Sequence, residues 1–311
     1  MHRFQTALAL GTLYIVWGST YIAIRIGVAE MPWALMAGTR FLLASAILLG
    51  ALAMLRRPLR AGLRDLAVLG AAGVLLLGLG NGLLALGETI VPAGLAALII
   101  ATIPLWVAGL ELLIPGGERL TTAGWAGLAL GLVGLGVLLM PQLLREQGAA
   151  VNLLGAGALL LSAVAWSLGT LLLRRRPVKL SPLAATGYQS LAGGLFNLLL
   201  ALLLGQHWPA QVSSAGWGSV AYLVVIGSLI GMTAFTWLTR HLAPAKLVTY
   251  AYVNPVVAVL LGVGLLGETL DGWMAAGMII ILAALVIVSR ARLAAAAPKS
   301  GAAVAAPAAG D

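Results

Sequence analysis

"VPAGLAALIIATIPLWVAGLELLIPGGERL" (residues 91–120) and "APAKLVTYAYVNPVVAVLLGVGLLGETL" (243–270) read as two versions of one passage. Pro92 aligns with Pro244, Pro104 falls one position from Pro255, and Gly117-Glu118 aligns with Gly267-Glu268. A Gly-Trp pair follows each copy, at 124–125 and at 272–273. More loosely, "VWGSTYIAIR" (16–25) resembles "AWSLGTLLLR" (165–174), which pairs Trp17 with Trp166. The chain is therefore read as two related halves, residues 1–145 and 146–293.

The solvent of both halves follows from composition. Of 311 residues, 61% are hydrophobic and only 9% charged. A water-soluble domain carries about 25% charged residues, so the bilayer is the expected medium. A membrane span needs about 20 predominantly apolar residues. Segments 6–28, 32–55, 66–87, 91–114, 120–140, 152–173, 181–204, 216–238, 244–266 and 270–289 meet that length. The expected fold is an all-α integral membrane protein with ten transmembrane helices, five in each half. Residues 294–311, "AAAAPKSGAAVAAPAAGD", lack an amphipathic pattern and read as a disordered cytoplasmic tail. The first apolar stretch has no small-residue cleavage site, so it reads as a retained span and not as a signal peptide.

Lys and Arg orient the spans, because they accumulate in cytoplasmic loops. With the N-terminus inside, fourteen fall on the inner side: Arg3, Arg56, Arg57, Arg60, Arg64, Arg119, Arg174, Arg175, Arg176, Lys179, Arg240, Arg290, Arg292 and Lys299. Only Arg145 falls in an outer loop. This placement accounts for the net charge of +9 as a topology signal, so nucleic acid is not an expected partner. The halves carry opposite loop charges. "RRPLRAGLR" (56–64) is basic, whereas its counterpart "GQHWPAQVSSAG" (205–216) has no Lys or Arg. "VAEMP" (28–32) and "RRRPVKLSP" (174–182) show the reverse. An odd number of spans per half requires the second copy to insert upside down, and the charges agree. Inverted repeats of this kind are typical of secondary transporters, whose substrate site lies at the midplane between the halves.

The pattern resembles the EamA family of the drug/metabolite transporter superfamily. The resemblance rests on "WGSTY" (17–21) in helix 1, "RFLLA" (40–44) in helix 2, the proline-centred helices 4 and 9, and Gly-Glu followed by Gly-Trp before helices 5 and 10. It covers about residues 8–290. It implies a ten-helix exporter of metabolites, most often amino acids, in the bacterial inner membrane; amino-acid exporters of the YddG type lie in the same superfamily. Alternative readings are a lipid-linked sugar flippase or a drug or cation exporter of that superfamily. No cofactor is implied. A monomer suffices, since both halves lie in one chain.

At 100° per residue, Tyr14, Trp17, Gly18, Tyr21 and Arg25 share one face of helix 1. Aromatic belts sit at membrane interfaces, but Trp17 is near mid-bilayer, so this face is expected to line a wet cavity. Arg25 lies three residues from the outer end and can snorkel. Arg40 cannot do so easily, since it lies roughly 12 Å inside helix 2 at about 1.5 Å per residue. By depth Glu88 is its expected partner, and the pair is assigned a buried-charge or gating role. Pro104 and Pro255 interrupt helices 4 and 9 near their middles, where freed carbonyls persist only beside protein or cavity water. They are expected to be hinges. Nearby polar positions, Asn81, Ser162, Trp166, Thr249, Tyr250 and Asn254, complete an aromatic, uncharged cavity suited to a zwitterion. Trp17, Tyr14, Tyr21, Asn81, Trp166, Tyr250 and Asn254 are the expected substrate-binding set. Gly127, Gly131 and Gly134 have the spacing of close helix packing.

The sequence offers little to an enzyme. There is no cysteine, hence no disulfide, Cys-bound zinc or Cys nucleophile. His2, His207 and His241 all sit near span ends, and neither HExxH nor GxSxG occurs. No carboxylate pair falls at the midplane, so neither a metal site nor an obvious proton carrier is expected, and facilitated diffusion stays open.

Overall fold

The structure is a computed structural model that describes residues 2–115, 121–144, 149–242 and 250–296. Gly117, Glu118, Arg119, Arg145, Pro244, Thr249 and Lys299, used in the sequence reading, lie outside the described residues. Among the described residues all regular structure is helical. The helices are α1 (His2–Glu30), α2 (Trp33–Met54), α3 (Leu63–Glu88), α4 (Ala93–Leu113), α5 (Thr122–Leu144), α6 (Ala149–Arg175) and α7 (Pro182–Leu203). They continue with α8 (Ser214–Tyr222, Leu223–Met232 and Thr233–His241), α9 (Tyr250–Leu266) and α10 (Gly272–Ala296). Thus α10 runs three residues into the stretch expected to be tail.

Seven of these helices are long and apolar enough to cross a membrane. The apolar segments Thr122–Leu138, Val253–Leu266 and Gly272–Val288 are shorter. Many lipid-facing side chains are large and apolar, among them Ile15, Leu43, Leu199 and Ile279. In a bilayer such exposure carries no penalty, and this is a membrane protein.

Helix ends follow local chemistry. Ser181 caps α7, its hydroxyl accepting from Ala184 N, with Pro182 in the first turn where no donor is lost. Thr121 and Asp271 cap α5 and α10 in the same way, accepting from Gly124 N and Met274 N. The C-termini of α2 and α7 share one motif. Arg57 N donates to Leu52 O at 2.8 Å, and Gln206 N donates to Ala201 O at 2.9 Å. Each motif requires one left-handed residue. In α7 that residue is Gly205 (φ 62°), but in α2 it is Arg56 (φ 51°). Arg56→Gly is therefore expected to stabilise the protein by about 1 kcal/mol, read as a raised melting temperature in detergent. No gain would mean that the arginine side chain offsets the backbone cost.

The helices pair in a regular way. The most extensive contacts are α5 with α10, α3 with α6 and α2 with α7, followed by α3 with α7 and α1 with α8. Small residues permit the closest approaches. A Cβ on Gly127 or Gly134 would meet Val288 or Ile281 of α10, and one on Gly277 would meet Leu138 of α5. Gly131 instead receives Leu105 of α4. The spacing of Gly127, Gly131 and Gly134 thus does serve packing.

Two helices are locally unwound from the α form. The middle of α3, Val74–Gly80, and the middle of α8, Leu223–Met232, are wound as π-helix. In α4 the chain breaks at Ala101-Thr102. Pro104 begins the second half of that helix, where its missing N–H costs nothing. Pro255, by contrast, sits within α9, which continues through it. The matched breaks expected at the two prolines are therefore not alike.

Candidate functional site

The irregular segments converge on one internal cavity. Trp17, Thr20 and Tyr21 reach it from α1, Arg40 and Phe41 from α2, and Leu77, Gly80, Asn81 and Leu84 from α3. Ile100 and Ile103 flank it at the α4 break. Ser162 and Trp166 come from α6, Met232 from α8, and Tyr250 and Asn254 from α9. The space open to the centre of a water molecule is about 60 Å³. At roughly 10–15 Å³ per water, that holds a few waters and not an amino acid. In the described conformation the cavity is thus too small for solute, and its largely apolar lining carries a few polar groups.

One wall is aromatic. The Trp17 ring lies 5.5 Å from Trp166, 5.1 Å from Phe235 and 5.2 Å from Tyr250. The Trp166 and Tyr250 contacts are edge-to-face, a favoured geometry for ring quadrupoles. Leu13, Tyr14 and Leu238 pack into the same cluster on the side of the α1 N-terminus. Trp166 Nε1 is buried with no hydrogen-bond partner among the described residues, although the Tyr250 side chain lies close.

Another wall is polar, because the π segment of α3 exposes carbonyls. Ser162 Oγ donates to Gly80 O at 2.6 Å, and Asn81 Nδ2 donates to Leu76 O at 3.2 Å. From α7, Asn197 Nδ2 donates to Leu77 O at 3.0 Å. Asn254 does similar work when its amide is turned to match its surroundings, donating to Tyr14 O at 3.1 Å and Tyr250 O at 3.2 Å. Asn81 and Asn254 thus line the cavity while holding backbone in place.

Arg40 supplies the cavity's charge. It is 5% exposed, its Nε donates to Ser228 Oγ at 3.0 Å, and its guanidinium lies 4.7 Å from the centre of the Phe41 ring. Ser228 belongs to the π segment of α8. The pairing of Arg40 with Glu88 expected from depth is not formed: among the described residues neither carboxylate oxygen of Glu88 has a hydrogen-bond partner. Depth along two helices says nothing of which faces meet. Arg25 does not simply snorkel either, because its guanidinium donates to the backbone carbonyl of Glu88.

Of the seven expected substrate-binding residues, six border the cavity: Trp17, Tyr21, Asn81, Trp166, Tyr250 and Asn254. Tyr14 lies behind the aromatic wall. Pro104 is off the cavity, and Pro255 borders only a smaller adjoining pocket beside the α4 break. Sequence reading missed Phe235, Ser228 and Glu268. Glu268 accepts from Ala93 N at 2.7 Å and Gly94 N at 2.9 Å, so the Gly-Glu of the second copy caps α4. The recurrence of that Gly-Glu motif was its available signal. At the opposite end of α4, Glu111 is bound by Arg175 at 2.7 Å and Arg174 at 3.5 Å.

A bundle of apolar helices around a cavity lined by aromatic rings, two asparagines and one arginine suits a membrane transporter. The chain belongs to the EamA-like transporter family, which it matches twice, over residues 6–140 and 153–290. It is 38% identical over 297 residues to the uncharacterised inner membrane transporter YedA of Escherichia coli K12, covering 93% of this chain and 94% of that one. It is 28% identical to a "Probable amino-acid metabolite efflux pump" of Salmonella typhimurium LT2, over 92% of this chain and 95% of the other. A solved crystal structure superposes with TM-score 0.63 at 22% identity, covering 93% and 98% of the two chains, and so shares the fold.

Proposed function

We propose that this protein exports small metabolites, amino acids foremost, across the bacterial inner membrane by alternating access around the described cavity. The observation that carries the proposal is the convergence of Trp17 and Trp166, counterparts in the two halves, on one cavity that also holds Arg40. The guanidinium offers a partner to a carboxylate. The rings take an apolar or aromatic side chain, and a ring face can accept an ammonium group. A cation exporter would want an acidic wall, whereas the ionisable charge bordering this cavity is Arg40. The efflux-pump name of the Salmonella relative points the same way.

The proposal includes ten spans, both termini cytoplasmic, in two inverted halves. The more extensive helix pairings support the two related halves, since adding five to each helix number carries them onto one another. The α1–α9 contact becomes α6–α4, and α3–α6 becomes α8–α1, and all four occur. The π segments of α3 and α8 correspond in the same way. Movement of α4 at Ala101-Thr102 against α9 would open the cavity to each side in turn. A lateral apolar groove lined by Leu8, Leu183, Ile230 and Trp237 is where a lipid-linked substrate would enter, but it shares no lining residue with the cavity.

The test is uptake of radiolabelled amino acids by liposomes containing the purified protein. Saturable uptake of apolar or aromatic amino acids is expected, and its absence across the full panel would remove this reading. Topology is checked separately by cysteine substitution. Gln206→Cys should label from outside intact cells and Leu59→Cys only after permeabilisation; labelling of both from one side would refute the inverted arrangement.

A further inference from the structure

This protein saturates the carboxylates it uses for structure. Glu268 accepts two backbone N–H groups, and Glu111 holds Arg174 and Arg175. Glu88 is the contrast. It ends α3, is 0% exposed, and among the described residues neither carboxylate oxygen has a hydrogen-bond partner. No ion pair reaches it among the described residues.

The charged and titratable groups facing it are already engaged or are neutral. From α1, Arg25 is within electrostatic reach but donates to the Glu88 backbone carbonyl, and Tyr21 is near. From α2, Arg40 is within electrostatic reach, with its Nε on Ser228. From the connection before α10, Glu268 faces it with both oxygens on the start of α4. The packing around adjacent Gly87 is Leu159 and Gly155 of α6, and Val91 closes on Gly155. A bare carboxylate in such a place is strongly disfavoured, and a neutral acid far less so.

Resting on the transporter reading above, we infer that Glu88 is the proton-carrying group that couples solute export to proton entry. The charge count places its end of α3 on the outer side. Parting of α1 from the α3–α4 corner, with loss of the Arg25 contact to the Glu88 backbone, exposes the carboxylate to outer water. One proton then binds a Glu88 oxygen, and the neutral acid permits the corner to close. Tyr21 faces both Glu88 and the cavity, so it marks the route by which that proton leaves to the inner side as the site opens there. One O–H bond forms and the same bond breaks, with no other chemistry. The empty, tightly packed conformation selects the protonated form, whereas a bound solute holds the corner open and leaves Glu88 ionised on the outward passage, so each cycle moves one solute out and one proton in.

Two measurements test this. In detergent-purified protein without substrate, infrared spectroscopy should show a protonated-carboxyl band that titrates with pH and is missing in Glu88→Gln. A wild-type spectrum without a titrating carboxyl band, or one unchanged in Glu88→Gln, overturns the proposal whether or not a substrate is found. In liposomes acidic inside, the wild type should accumulate a labelled amino acid. At one proton per solute the limit is about tenfold for each pH unit of gradient. Glu88→Gln should not accumulate it, and Glu88→Asp, which keeps a carboxyl, should. Uptake by the wild type that ignores the gradient overturns the coupling but leaves the transporter reading standing. Absence of uptake for every amino acid removes that reading and leaves the infrared result to decide the proton site.

Discussion

Trp17→Ala is expected to lose both the aromatic wall and transport. The ring touches three others, at 5.5, 5.1 and 5.2 Å. Aromatic pairs contribute about 0.5–1.5 kcal/mol each beyond the area they bury. Replacing a packed tryptophan by alanine costs roughly 3–5 kcal/mol in well-packed interiors. The hole would also connect the cavity to the side of Leu13, Tyr14 and Leu238, which the cluster now seals. The variant should melt well below the wild type in detergent. Its kcat/KM for amino-acid uptake should fall by about tenfold or more, at 1.36 kcal/mol per factor of ten. Trp17→Phe keeps a ring and should recover much of the stability. Full transport by the alanine variant would show that this wall neither binds solute nor seals its path.

Gly73→Ala should be nearly as severe, for a purely steric reason. Gly73 is the last residue before the π segment of α3. A Cβ there would sit 2.3 Å from the carbonyl oxygen of Gln189 and 2.9 Å from its Cα. These are backbone atoms of α7, so no rotamer change relieves the clash and the helices must separate. The reciprocal position is as tight, since a Cβ on Gly193 would lie 2.5 Å from Leu77 Cβ and 2.8 Å from Gly73 O. Overpacking costs about 1–3 kcal/mol and occasionally more; the backbone clash puts Gly73→Ala at the upper end. Gly70→Ala is the control, one turn earlier with nothing within 4 Å of its Cβ. It should gain up to about 1 kcal/mol through helix propensity. Equal melting temperatures for the two variants would refute the close α3–α7 packing.

The site was partly legible in the sequence. Trp17, Tyr21, Asn81, Trp166, Tyr250 and Asn254 stood out because polar or aromatic side chains at mid-span have no reason to face lipid. All six border one cavity. Phe235 did not stand out, since an apolar ring suits lipid and core equally. Glu88 was visible as a carboxylate near a helix end, where a water-exposed position or an arginine partner was the natural reading. Its burial without a partner depends on how α1, α4 and α6 close over it.

What the sequence by itself determined was the membrane as solvent, the repeat, and the opposite charge of corresponding loops. These depend on local composition and on period, both of which survive without tertiary contacts. It also marked which helix positions were too polar for lipid. Only the tertiary structure decided where α4 breaks, that α3 and α8 unwind to π-helix, and that Arg40 bonds Ser228 in preference to Glu88. The physical reason is that lipid tails and protein interior are both apolar. A membrane helix therefore carries a weak signal of its rotation and register. Close packing at residues such as Gly73 and Gly134 sets those, and with them the partner each buried polar group finds.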